Sequence, residues 1–132
     1  MRRNRRNPRA GAAAVEFAVV LPLLMLLVFG MIEFGRMVMV QQMVVSSARE
    51  GARHAILDGA TIASTKARAG NYLANAGVST AVVDVTPDPN SASTATPITV
   101  DVRVSFEDVS WMPVPMFLGG KQIESRCVMF HE

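Results

Sequence analysis

From Ala12 to Ile32 the chain carries one uninterrupted apolar run in which the only charge is Glu16, and Pro22 and Gly30 are the only other residues outside the usual apolar set. A helix rises about 1.5 Å per residue, so this run covers roughly 30 Å, the thickness of a bilayer's hydrocarbon core. It reads as a transmembrane helix. The residues that follow it, in a chain of 132, suffice for one modest core. The expected organisation is a short leader over residues 1–11, a span over 12–32 and an extracytoplasmic domain over 33–132. Glu16 is the misfit, because a span gains nothing from a carboxylate and burying one is costly.

Charge is as uneven as hydropathy. Arg2, Arg3, Arg5, Arg6 and Arg9 precede Gly11, which leaves eight basic against eleven acidic residues in the rest of the chain. The basic character therefore belongs to the tail and gives no evidence for a nucleic-acid surface. An arginine cluster flanking a span marks its cytoplasmic side, so the N-terminus is expected inside and the bulk of the chain outside. Residues 1–10 are expected to lack structure. Cys127, the single cysteine, rules out an internal disulfide and a cysteine-based zinc site. It reads as a small buried residue in a strand.

The leader does not fit an ordinary secretory signal, whose apolar stretch is about 7–15 residues long and is followed by a small-residue cleavage site. Here the small residues Ala10 to Ala14 precede the run. A basic leader, Gly11, a glutamate five positions later and the aromatic Phe17 resemble a type IV prepilin-type processing site. That resemblance implies cleavage between Gly11 and Ala12 by a membrane aspartyl peptidase, the prepilin peptidase. VEFAVVLPLLMLLVFGMIEFGR (residues 15–36) and SAREGAR (residues 47–53) extend the likeness. Together they resemble the TadE-like pseudopilins of tight-adherence pilus systems, over roughly residues 11–57. The resemblance implies a structural or accessory pilus subunit in a bacterial inner membrane. Its implied partners are the prepilin peptidase, other pilus or pseudopilin subunits, the assembly platform and the lipid bilayer. It also implies that Glu16, with Phe17 beside it, serves assembly: the carboxylate is placed to pair with the new Ala12 amine of a neighbour or of its own chain. The plainer alternative is a carboxylate that snorkels to the headgroups.

The fold class expected is α+β: a long first helix continuing past the span to about Leu57, a second helix and a small antiparallel sheet of about three strands. Pro22 is expected to kink the helix. On its outer half Ser47, Gly51 and Ala55 form a small-residue stripe that permits close helix packing. This stripe serves either the chain's own sheet or a neighbouring subunit. Asp58-Gly59 breaks the helix, Thr61 caps a second one from Ile62 to about Ala76, and Gly77 ends it. Residues 81–86 read as a strand. Residues 98–107 alternate strictly, with Ile98, Val100, Val102, Val104 and Phe106 on one face, and so read as a half-buried strand. Gly119-Gly120 makes a turn before a last strand from Gln122 to Phe130. The apolar stretch Trp111–Phe117 holds Pro113 and Pro115 and cannot be a regular helix or central strand. It reads as a loop folded over the edge of the core, or as a contact for a partner or a membrane surface.

Nothing in the sequence marks a catalytic residue, a metal site or a cofactor site. There is no nucleophile elbow, phosphate-binding glycine loop or zinc-protease helix motif. His54 is expected to pair with Glu50 one turn earlier. Two classes of function remain in view: the pilus subunit, and an uncleaved single-pass anchor for an extracytoplasmic binding domain. A domain released by ordinary signal peptidase is disfavoured by the length of the apolar run.

Overall fold

The computed structural model describes residues 8–131. Its dominant element is α1, Pro8–Ala55, a single helix of 48 residues, about 70 Å long at 1.5 Å per residue. It begins inside the segment expected to lack structure and stays helical across Pro22. The rest of the leader lies outside the described residues. The two halves of α1 differ in surroundings. From Gly11 to Leu27 every side chain is exposed, and the most apolar window has none of its residues covered by protein. Beyond Met39 one face is sealed: Val40, Val44, Ser47, Ala48, Gly51, Ala52 and Ala55 are buried. Their spacing of three and four residues is that of one helical face.

The domain wraps that face. Helix α2, Ile62–Asn75, starts at a capping box in which the Thr61 side chain accepts from the Ser64 amide and the Ser64 side chain accepts from the Thr61 amide. It ends before Gly77, whose φ of +82° needs a residue without a Cβ. Three strands follow, β1 (Val82–Thr86), β2 (Pro97–Ser105) and β3 (Gln122–Phe130), in a fully antiparallel sheet of order β1-β2-β3. In β2 the inward set Ile98, Val100, Val102 and Val104 is buried, as period-two patterning requires. Val100 stands opposite Val85 and Cys127, and Val102 opposite Val83 and Ser125. Cys127 lies in a strand as expected but is half-buried, packed against the core.

β2 is shorter than the alternation in sequence suggests. It stops at Ser105, and residues Phe106–Val109 form a single helical turn, α3. The Phe106 amide still makes the next rung of the ladder, donating to the Lys121 carbonyl at 2.9 Å, and its ring is fully buried, but its carbonyl turns to accept the Ser110 amide at 2.9 Å and closes the helical turn. The outer sheet face exposes Val82, Val128 and Phe130 but is cross-linked by ion pairs: Arg126 donates to Asp101 at 2.7 Å, and Asp84 lies 3.3 Å from Arg103 and 3.6 Å from Lys66 of α2. The hydrogen bond to the Asp101 carboxylate raises the Arg126 guanidinium above its ordinary pKa. Such exposed pairs contribute little to stability.

Candidate functional site

Three groups of residues on α1 carry the chemistry of this molecule. The first is Gly11, Ala12, Glu16 and Phe17. All four lie on the helix and are exposed, and a Cβ on Gly11 would meet nothing within 4 Å. Ala12 and Glu16 are four residues apart, hence on one face about 6 Å apart along the axis. Glu16 has no salt bridge among the described residues. Among the described residues this carboxylate thus stands in an apolar zone without a counter-charge.

The second group is Ser47, Gly51 and Ala55, which the structure places beneath the domain. The Ser47 hydroxyl donates to the Ala69 carbonyl of α2 at 2.9 Å. A Cβ on Gly51 would come within 3.1 Å of the Ala69 Cβ and 3.2 Å of the Val100 Cγ1. Glycine therefore sets how closely α1, α2 and β2 approach. Ala55 is fully buried. Beside this stripe the expected pairing of His54 with Glu50 is replaced. His54 Nε2 lies 3.1 Å from the Ser64 hydroxyl, and Glu50 takes Arg68 of α2 at 2.7 Å. Partners offered by the neighbouring helix displace the one available a turn away.

The third group, Glu33 and Arg36, was not singled out by the sequence reading beyond its place in IEFGR. Glu33 is almost wholly buried. Its two carboxylate oxygens accept the amides of Met116 and Phe117, at 2.5 and 2.9 Å. Arg36 donates through Nε to the Val109 carbonyl at 2.8 Å, and its guanidinium lies 4.9 Å from the centroid of the Trp111 ring, within the range of a cation–π contact. The loop between α3 and β3 is thus clamped to α1 at both ends, and the Phe117 ring lies 3.4 Å from where a Cβ on Gly30 would stand. The loop's flanking residues Val109 and Leu118 are buried in the core, and between them it lies along the helix where the apolar run ends. The sequence shows a carboxylate three residues before an arginine, directly after the apolar run, which marks the pair but not the loop it holds.

Among the described residues no cluster of His, Cys, Asp and Glu could hold a metal ion. A depression on the outer sheet face is lined by Asp101, Arg103, Gln122, Glu124, Ser125 and Arg126. Asp101 and Arg126 are paired with each other there, and Arg103 with Asp84.

A family model described as TadE-like protein matches residues 11–53. Nothing matches among curated proteins or among solved structures. The matched segment coincides with the resemblance read from the sequence. It covers α1 almost to its end, including all three groups of helix residues except Ala55.

Proposed function

We propose, with residues 11–53 as a TadE-like segment, that the protein is a pseudopilin-like structural or accessory subunit of a tight-adherence pilus or secretion system. It is made as a single-pass inner-membrane precursor with its N-terminus in the cytoplasm and its domain outside. The prepilin peptidase cuts it between Gly11 and Ala12. The observation that carries this reading is the exposed apolar half of α1, with Glu16 within it, five positions after Gly11 and in no salt bridge among the described residues.

Cleavage would give that carboxylate a partner. It creates an amine on Ala12 at a helix N-terminus, where the macrodipole is already positive and disfavours a further cation. Glu16, one turn along, offsets both within a chain, and it pairs with the amine of a neighbour when spans pack side by side. The scissile bond lies in the first turn of α1, the part of a helix held by the fewest backbone hydrogen bonds. Unwinding it for a peptidase disturbs nothing in the domain.

The test is N-terminal sequencing and intact mass of the membrane form, made with and without the cognate peptidase. The expected mature chain begins AAAVEF only when the peptidase is present. A chain that keeps its arginine-rich leader in the presence of that peptidase would return the protein to the class of uncleaved anchored domains.

A further inference from the structure

We infer that the loop spanning residues 110–118 is a membrane-seated wedge, set into the headgroup and outer acyl layer of the leaflet from which α1 emerges. The inference rests on the reading of α1 as a span. Its first support is placement. Phe117 packs on Gly30, inside the apolar run, and Glu33 and Arg36 fix the loop at the level where that run ends. A bilayer that covers Ile32 also reaches Phe117.

The second support is what the loop shows to its surroundings. Trp111 is 64 % exposed, Val114 74 %, Met116 52 % and Phe117 52 %, and residues 109–118 include no charged side chain. Elsewhere on the domain the outer sheet face carries ion pairs. This apolar patch is continuous with the lipid-facing surface of α1 through Gly30, so lipid is the occupant it fits.

The third support is the backbone, which must find its hydrogen bonds within the protein if it is to enter an apolar layer. Pro113 and Pro115 have no N–H to satisfy. The amides of Met116 and Phe117 are taken by Glu33, and that of Met112 by the Ser110 hydroxyl at 3.2 Å. The amides of Trp111, Val114 and Leu118, with the loop's outward carbonyls, remain for water or headgroups, which suits a seat at the headgroup level rather than deeper. The carboxylate of Glu33 is itself capped by the loop it holds, so no charge is presented to lipid there. Arg36 beneath the Trp111 ring places a cation and an indole together, the pairing of amphipathic groups that suits the membrane–water boundary.

Trp111 is the only tryptophan in the chain, so the native protein reports its own position. The full chain is reconstituted into phosphatidylcholine vesicles, with and without bromine on the acyl chains at shallow or deep carbons. Trp111 should lose most of its emission to shallow bromines, less to deep ones, and little to iodide in the aqueous phase. A second chain, Leu21→Trp in a Trp111→Phe background, reports on the span and should be quenched by deep bromines. If the probe at position 21 is quenched while Trp111 ignores bromine and remains open to iodide, the wedge is wrong and the span stands. If Trp111 is shielded from bromine and iodide alike, the patch is covered by another copy of the chain and the wedge is again wrong. If neither probe meets bromine, the span reading fails and takes the wedge with it.

Discussion

Glu16 and Glu33 stand on one helix in opposite circumstances, and each predicts a different loss. Glu16 touches no counter-charge among the described residues, so Glu16→Ala should insert into membranes at least as well as the parent, since a carboxylate in a span opposes insertion. Under the proposed function its loss appears later: an unpaired Ala12 amine in an apolar contact costs a few kcal/mol, more than a tenfold drop in co-purification with pilus components at about 1.4 kcal/mol per decade. Glu16→Gln should fall between. Glu33 already has its partners. Hydrogen bonds to a charged group contribute about 1.5–3 kcal/mol, so Glu33→Ala should speed amide exchange at Met116 and Phe117 by roughly tenfold or more, with α2 and the sheet unaffected. Thr65 makes the converse case. Its hydroxyl is buried with no hydrogen-bond partner, so Thr65→Val should leave stability unchanged or raise it by up to about 1 kcal/mol, read as the thermal unfolding midpoint of the detergent-solubilised chain.

At the scale of elements, the junction of α1 with α2 and β2 turns on Gly51. Gly51→Ala brings a Cβ to 3.1 Å from Ala69 and 3.2 Å from Val100. Overpacking of this kind costs about 1–3 kcal/mol, partly offset by the roughly 1 kcal/mol that alanine gains over glycine in a helix. Gly51→Leu has no such relief and should prevent α2 from docking, seen as rapid proteolysis of the domain from an intact span. Which elements were legible in the sequence follows from the range of the forces that make them. The cap at Thr61, the stop at Gly77 and the strict alternation of β2 are local, and β3 runs from Gln122 to Phe130 as read. The end of β2 is hidden in the sequence because Phe106 keeps both the inward phase and the rung to Lys121, and only its carbonyl, taken by Ser110, starts the helical turn. The Glu33 clamp was missed because its partners lie 83 and 84 residues away, and no local pattern encodes a contact at that distance. The displacement of the His54–Glu50 pair has the same origin, since Ser64 and Arg68 arrive only when α2 docks.

For the whole molecule, the expected topology places residues after about Glu33 outside and the arginine-rich leader inside. A reporter fused after Glu132 should therefore be active only if its enzyme works outside the cytoplasm; activity confined to a cytoplasmic reporter would contradict it. The continuity of α1 from its exposed apolar half into the wall of the core has a mechanical consequence under the proposed function. Among the described residues no linker separates that half from the domain, so a push or twist applied at one end of the helix is carried to the other. A displacement of one helical turn, about 5.4 Å, carries the whole head by that distance and turns it in step. Under the proposed function α1 is a drive shaft, and where a neighbour grips it within the membrane sets the height and heading of the domain above.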